Sequence, residues 1–259
     1  MDVAFIIGPA GSGKSMLTSA LAYYLDQRRI FYATLNLDPA VEDPSLHYNP
    51  TIDARDWVKT SEIMKKFKLG PNGAIIASCD ILAAHADKIK KAISELRADI
   101  LIVDTPGQLE VFAFRPSGYE IFRTINEIEG TRSLILFLID PFLCKSGLNA
   151  ILSVLLLSSS IFWRFQLPVI DVVTKRDLLP SEELDKILYF LENPSAIFDE
   201  LKEFPVRDIA LEWEAMVAEF EEIFARKEII AVSSETGEGI ADLFAKMQEV
   251  WSKSGGVET

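Results

Sequence analysis

The stretch Gly8-Pro9-Ala10-Gly11-Ser12-Gly13-Lys14-Ser15 follows an apolar run, Val3-Ala4-Phe5-Ile6-Ile7, and leads into a helical pattern beginning at Met16. A strand, a glycine-rich turn of this spacing and a helix start together restrict the fold more than any other part of the chain. Glycines let successive backbone N–H groups close around phosphate oxygens, and the helix that follows adds a positive field at its N-terminus. Lys14 can then reach β- and γ-phosphates, and the Ser15 hydroxyl can ligate Mg²⁺. A plain strand-to-helix turn requires the glycines but not a lysine followed by a serine. Residues 9–15 are therefore read as a cradle for a nucleoside triphosphate.

Further apolar, β-branched runs at residues 30–37, 99–103, 133–139, 168–173 and 228–232 alternate with helical patterns. Such alternation predicts an α/β fold: a mostly parallel sheet with helices on both faces, in three layers. Helices are expected over 53–67, over 74–97 in one or two segments, and over 148–165. A wholly helical insertion is expected over about 181–228, before the last strand. Within it Ile209, Trp213, Met216, Val217, Phe220, Ile223 and Phe224 recur at helical spacing and are read as packing on the sheet. A polar, Pro-punctuated loop is expected over 42–50 and a frayed tail over 254–259. With no repeats and no low-complexity linker, the 259 residues read as one domain.

Composition narrows the classes of partner. Hydrophobic residues make up 49% and charged ones 25%, as in ordinary globular chains. Lys+Arg 26 against Asp+Glu 39 gives a formal charge of -13, which argues against direct binding to nucleic acid or an anionic membrane. The basic cluster Lys65-Lys66-Phe67-Lys68 is read as a solvated helix end. Cys79 and Cys144 stand far apart, and His47 and His85 are the only histidines, so metal-site spacing is lacking and a reducing compartment is expected. The N-terminus enters a strand directly, leaving no room for a signal peptide. The apolar stretch at 148–165 is interrupted by Ser158-Ser159-Ser160 and closed by Arg164, and so is read as a buried helix rather than a membrane span. The expectation is a cytoplasmic protein.

Three more pieces fall at predicted strand ends, the edge where open α/β sheets bind ligands. Asp38 precedes Pro39, which keeps it out of a helix. Asp104-Thr105-Pro106-Gly107-Gln108 places an aspartate at a strand end and a glycine three residues on. In phosphate-loop enzymes such an aspartate holds Mg²⁺ and the glycine N–H meets the γ-phosphate. Thr174-Lys175-Arg176-Asp177 resembles the guanine-reading motif of GTPases. Guanine offers adjacent N1–H and 2-amino donors that suit the Asp177 carboxylate, whereas adenine presents a lone pair at N1. The Lys175 stem can cover the base plane, and Ser233-Ser234-Glu235 resembles the backbone element that meets the base.

With these in place, Gly70-Pro71-Asn72, the run Asn36-Leu37-Asp38-Pro39-Ala40 and Asp104-Thr105-Pro106-Gly107-Gln108 together resemble the GPN-loop GTPase family, along essentially the whole chain and in the family's order. Without a long tail, the chain is most similar to the archaeal kind. The resemblance implies a phosphate-loop NTPase fold, GTP as substrate, Mg²⁺ as cofactor and a homodimer in which Asn72 enters the neighbour's site. It also implies that Asp38, Asp104 and Gln108 organise Mg²⁺ and the attacking water; whether Gln108 or Asp38 positions the water stays open. Roles in assembling multi-subunit machines such as RNA polymerase are implied as well. On the residues alone, glycine and proline fix a projecting turn and asparagine offers a neutral donor, which predicts modest turnover. The rival readings are a chromosome-partitioning type of ATPase, which would carry a second lysine where this chain has Pro9, and a nucleotide kinase, which would need an arginine-rich acceptor pocket. A third is an assembly switch whose output is shape, with hydrolysis only resetting it.

Overall fold

A strand buried on both faces must be apolar at every position, and its alternating side chains then build two separate packing layers. The computed structural model describes residues 1–41, 46–201 and 228–254. Its strands are β1 (Asp2–Ile7), β2 (Tyr32–Asn36), β3 (Ile52–Asp53), β4 (Ile100–Asp104), β5 (Arg132–Ile139), β6 (Val169–Val173) and β7 (Glu228–Ala231). They form one sheet in the order β3-β2-β4-β1-β5-β6-β7, and each neighbouring pair is parallel. Val3, Phe5, Ile7, Leu101, Val103, Ile135 and Phe137 point to one face. Ala4, Ile6, Ile100, Ile102, Leu134, Leu136 and Leu138 point to the other.

The helices described are α1 (Lys14–Gln27), α2 (Thr60–Phe67), α3 (Pro71–Ala83), α4 (Ala86–Ser94), α5 (Pro116–Asn126), α6 (Pro141–Cys144), α7 (Leu148–Phe165), α8 (Ser181–Glu192), α9 (Pro194–Leu201) and α10 (Ile240–Ser254). Leu17, Leu21 and Leu25 of α1 and Leu243, Phe244, Met247 and Trp251 of α10 cover the second face. The Trp251 indole N–H also donates to the Val3 carbonyl at 3.3 Å. Ile89, Ile93, Ile121, Phe122, Leu155 and Ile161, from α4, α5 and α7, cover the first. Each fully buried Leu, Ile or Phe stabilises the fold by roughly 1.5–3 kcal/mol. The three-layer α/β expectation is met.

Register sets the site. Ile6 pairs with Asp104, and Asn36 pairs with Asp104 from the other side, so β1, β4 and β2 end level with one another. The chain leaves β1 toward one half of the sheet and leaves β5 toward the other, which opens a crevice at the strands' C-terminal ends.

Helix α7 is long and apolar enough to cross a bilayer by length and composition, with a mean hydropathy of 1.5. Here Ile151, Leu155, Ile161 and Phe165 belong to the same core as the strands. The Ser158 hydroxyl donates to the buried Asp171 carboxylate on β6. Ser158 thus anchors the helix to the sheet, while Ser159 and Ser160 bond back to the Leu155 and Leu157 carbonyls of the same helix.

Several boundaries depart from expectation. The predicted helix at 53–67 is three pieces: Ile52 and Asp53 pair with Leu35 and Asn36 as an edge strand, residues 54–56 make a 3₁₀ turn, and α2 starts only at Thr60. Asp53 accepts from the Arg55 backbone N–H at 2.9 Å and grips its guanidinium, a local competitor of helix. The helix expected from 74 begins at Pro71, since proline suits a first helical position, and the chain turns at His85 into α4. Within the described part of the expected helical segment, Asn193 ends α8 before Pro194 opens α9. The stripe between Ile209 and Phe224, residues 42–45 of the polar loop and the tail beyond Ser254 lie outside the described residues.

Candidate nucleotide site

The loop after β1 is shaped by where a side chain cannot go. A Cβ on Gly8 would lie 2.9 Å from Leu138 Cβ and 3.0 Å from the Leu138 carbonyl, so only glycine lets the loop lie this close to β5. Gly13 enters α1 at φ +94°, a left-handed conformation that glycine adopts without strain. No side chain caps α1, and its first-turn N–H groups are left to the loop's concavity. Lys14 is only 6% exposed. Its ammonium donates to the carbonyls of Gly8 at 2.9 Å, Pro9 at 3.0 Å and Gly107 at 3.2 Å. Burial pulls its pKa below the ordinary lysine value, and the charges of Asp104 and Asp38 oppose that shift.

Asp104, at the end of β4, is 1% exposed. Its Oδ2 accepts from the Tyr48 hydroxyl at 3.0 Å, while its Oδ1 is buried with no hydrogen-bond partner. Burial raises its pKa to about 6, with the Ser15 and Tyr48 hydroxyls and the Lys14 ammonium favouring the charged form. A buried, unpartnered carboxylate oxygen beside a serine hydroxyl is a set of hard oxygen donors, as Mg²⁺ requires. Among the described residues no group of three His, Cys, Asp or Glu side chains could hold a metal alone. Asp104 and Ser15 thus suit a cation that takes its other ligands from phosphate and water.

Asp38 bridges two loops. Its Oδ2 accepts from the Gly107 N–H at 3.0 Å and its Oδ1 from the Ala40 N–H at 2.8 Å. Asn36, completely buried on β2, holds it from behind. The Asn36 amide donates to the Asp38 carbonyl at 3.3 Å and to Asp53 Oδ1 at 3.0 Å, and its Oδ1 accepts from the Asp38 N–H at 3.0 Å. Asp53 is fixed in turn by the Arg55 guanidinium at 2.6 Å. Burial alone would raise its pKa, yet hydrogen bonds from Arg55 and Asn36 hold it below the ordinary carboxylate value. Gln108 follows Gly107 directly and is half-buried.

Around the predicted base site, Thr174 Oγ1 donates to the Ser12 carbonyl at 2.9 Å and so ties the end of β6 to the phosphate loop. Lys175 stands at φ +56° and pairs with Asp140 at 2.7 Å. The Arg176 N–H donates to Val232 at 3.2 Å, and its guanidinium pairs with Glu238 at 2.8 Å. Ser233 Oγ accepts from the Thr236 N–H at 3.0 Å. Asp177 is exposed on a 3₁₀ turn between these loops. A cleft of about 610 Å³, lined by Met16, Ser19, Tyr23, His47, Ser234 and Glu235, opens between α1 and the loop after β7.

The structure thus joins Lys14, Gly107 and Asp38 by hydrogen bonds, sets Asp104 and Ser15 close to them, and brings residues 174–176 and Ser233 to the flank. It leaves Gly70, Pro71 and Asn72 exposed on the first turn of α3. Sequence reading assigned no role to Tyr48, Asp53, Arg55 or Asp140. Tyr48 sits in a polar loop with no periodicity to mark it, and only the pairing of β2 with β3 brings Asp53 beside Asn36.

A glycine-rich loop after the central strand of an all-parallel, three-layer sheet, with a buried aspartate ending β4 and a half-buried one just beyond β2, defines a nucleotide-binding protein of the phosphate-loop NTPase class. The model of a family described as "Conserved hypothetical ATP binding protein" matches residues 6–253. The GPN-loop GTPase PAB0955 of Pyrococcus abyssi is 30% identical over 93% of this chain and 94% of its own length. The crystal structure of PAB0955 in apo form superposes with a TM-score of 0.85, covering 96% of this chain and 97% of that one. GPN-loop GTPase 1 of Dictyostelium discoideum is 30% identical over 93% of this chain, which spans 59% of that relative's length. The chain belongs to the GPN-loop GTPase family.

Proposed function

We propose that the protein binds GTP with Mg²⁺ and hydrolyses it to GDP and phosphate, acting as a homodimeric switch. The observation that carries this reading is the bonded unit made by Lys14, Gly107 and Asp38. The Lys14 ammonium spans the phosphate loop and the Gly107 turn, and Asp38 closes the turn from the other side. In this reading Lys14 and the amides of residues 9–15 hold the β- and γ-phosphates. Ser15 and Asp104, with Asp38 nearby, hold the cation, and bound Mg²⁺ neutralises charge on the β- and γ-oxygens. The Gly107 N–H, held by Asp38 Oδ2 at 3.0 Å, would exchange that bond for one to the γ-phosphate when nucleotide enters. Water attacks the γ-phosphorus in line with the departing GDP oxygen, positioned by Asp38 or by Gln108. The family is described by ATP binding while the named relatives are GTPases; the exposed Asp177 carboxylate favours guanine, with Lys175 and Ser234 beside the base.

Asn72 acts in the partner's site. An exposed amide on the first turn of α3, pre-set by Pro71, is a rigid donor facing away from its own chain. In the cytoplasm such a switch would serve protein partners, with assembly of machines such as RNA polymerase as the family resemblance implies, and no membrane or direct nucleic-acid contact. Competition between GTP and ATP, with phosphate release measured in the absence of any acceptor, tests the activity. ATP preference would favour the ATPase reading, and no release without an acceptor would favour a kinase. Wild-type turnover by a dimeric Asn72→Ala variant would remove the partner contact from the mechanism.

A further inference from the structure

The strongest unassigned feature of the site is Tyr48. Its hydroxyl donates to Asp104 Oδ2, leaving Oδ1 as the buried carboxylate oxygen without a partner. The segment that carries Tyr48 is clamped on both sides. The preceding carbonyl, that of His47, accepts from Ser19 Oγ at 2.9 Å. Ser19 lies one helical turn beyond Ser15 on the same face of α1. On the other side, Thr51 exchanges hydrogen bonds with Thr34 on β2: the Thr51 N–H donates to the Thr34 carbonyl at 2.9 Å, and the Thr34 N–H to Thr51 Oγ1 at 3.1 Å. The Tyr48 hydroxyl is thus placed by α1, which starts at the phosphate loop, and by β2, which leads to Asp38.

A carboxylate at a strand end can rotate about its terminal torsion, and the energy surface for that rotation is broad. A single strong donor on one oxygen removes the freedom. It decides which lone pairs remain for a cation, the arrangement by which outer groups orient metal ligands.

We infer that Tyr48 is a positioning residue for the cation site: by holding Asp104 Oδ2 it presents Oδ1 to the divalent cation. The inference rests on the reading of this site as one for GTP and Mg²⁺. It predicts that loss of the hydroxyl weakens the cation and leaves the nucleotide's other contacts intact, because Tyr48 touches neither the phosphate loop nor the loops around the base site by any hydrogen bond.

The test uses the full chain and fluorescent GDP, so that no turnover is involved. Nucleotide affinity is measured in EDTA and then across a Mg²⁺ titration for wild type, Tyr48→Phe, Asp104→Asn and the double variant. For Tyr48→Phe the affinity in EDTA should match wild type, while the Mg²⁺ concentration at half-effect rises about 10–100-fold. Asp104→Asn should abolish the Mg²⁺ effect, and Tyr48→Phe should add nothing to it. Ser19→Ala, which loosens the clamp without touching Tyr48, should shift the Mg²⁺ midpoint in the same direction by less. A Tyr48→Phe midpoint within about twofold of wild type overturns the inference. So does an equal loss of affinity in EDTA, which would make Tyr48 a general support of the pocket. Absence of any Mg²⁺ effect in wild type is a separate result, which overturns the reading of the site itself.

Discussion

Asn36→Asp replaces an amide by a carboxyl of almost the same shape, so packing on β2 is preserved and only hydrogen-bond polarity changes. In the native chain the Asn36 amide nitrogen donates to the Asp38 carbonyl and to the charged Asp53 Oδ1. The carboxyl has no N–H to offer either acceptor. A neutral bond contributes about 1 kcal/mol and one to a charged group about 1.5–3 kcal/mol. The variant should therefore lose about 2.5–4 kcal/mol, more if the new group ionises next to Asp53. For a domain of this size each kcal/mol lowers Tm by about 2–4 °C, so thermal denaturation should show a fall of about 5–16 °C. At a temperature where the variant remains folded, kcat for GTP should drop because Asp38 and the Gly107 turn lose their backing. KM should move less, since the phosphate loop and the loops at the base site are untouched. A variant with wild-type Tm, or one that loses affinity while keeping kcat, would refute the claim that Asn36 braces Asp38.

Gly8→Ala would push a methyl group against the Leu138 backbone, and should cost about 1–3 kcal/mol in chemical denaturation while weakening GTP in equilibrium binding. Asp177→Asn should lower GTP affinity and leave ATP affinity unchanged, since the amide returns only one of the two acceptors guanine needs; competition binding reads the ratio. Asp53 has a lowered pKa in the folded chain, so it stabilises above its unfolded value and that stability is lost as pH falls through the folded one. Arg55→Gln removes the main partner, and the variant should therefore lose less stability than wild type when acid denaturation is followed below about pH 4.

The strands were legible because burial on both faces demands unbroken apolar runs. Residues 133–139 and 99–103 could be little else, and parity along them already separates the two layers. The phosphate loop, Asp104 with Gly107, and Thr174 with Asp177 stand out in the sequence because the chemistry proposed for them depends on contiguous residues. The edge strand at Ile52 and Asp53 was not. Two residues carry no periodicity, and they become a strand only because Leu35 and Asn36 lie beside them. Nor was the start of α3 at Pro71 evident, since Gly-Pro reads equally as a turn and as a helix entry.

By itself, then, the order of residues determined that a phosphate cradle follows a central strand, that the sheet is parallel and covered on both faces, and that acidic groups stand at its ligand edge. Those are properties of local geometry and of period. Only the tertiary structure decided which groups support them: Tyr48 on Asp104, Asn36 and Arg55 behind Asp38, Lys14 across to Gly107, and Thr174 onto Ser12. These contacts join residues distant in the chain, and they exist because strand register sets β1, β2 and β4 level at one edge.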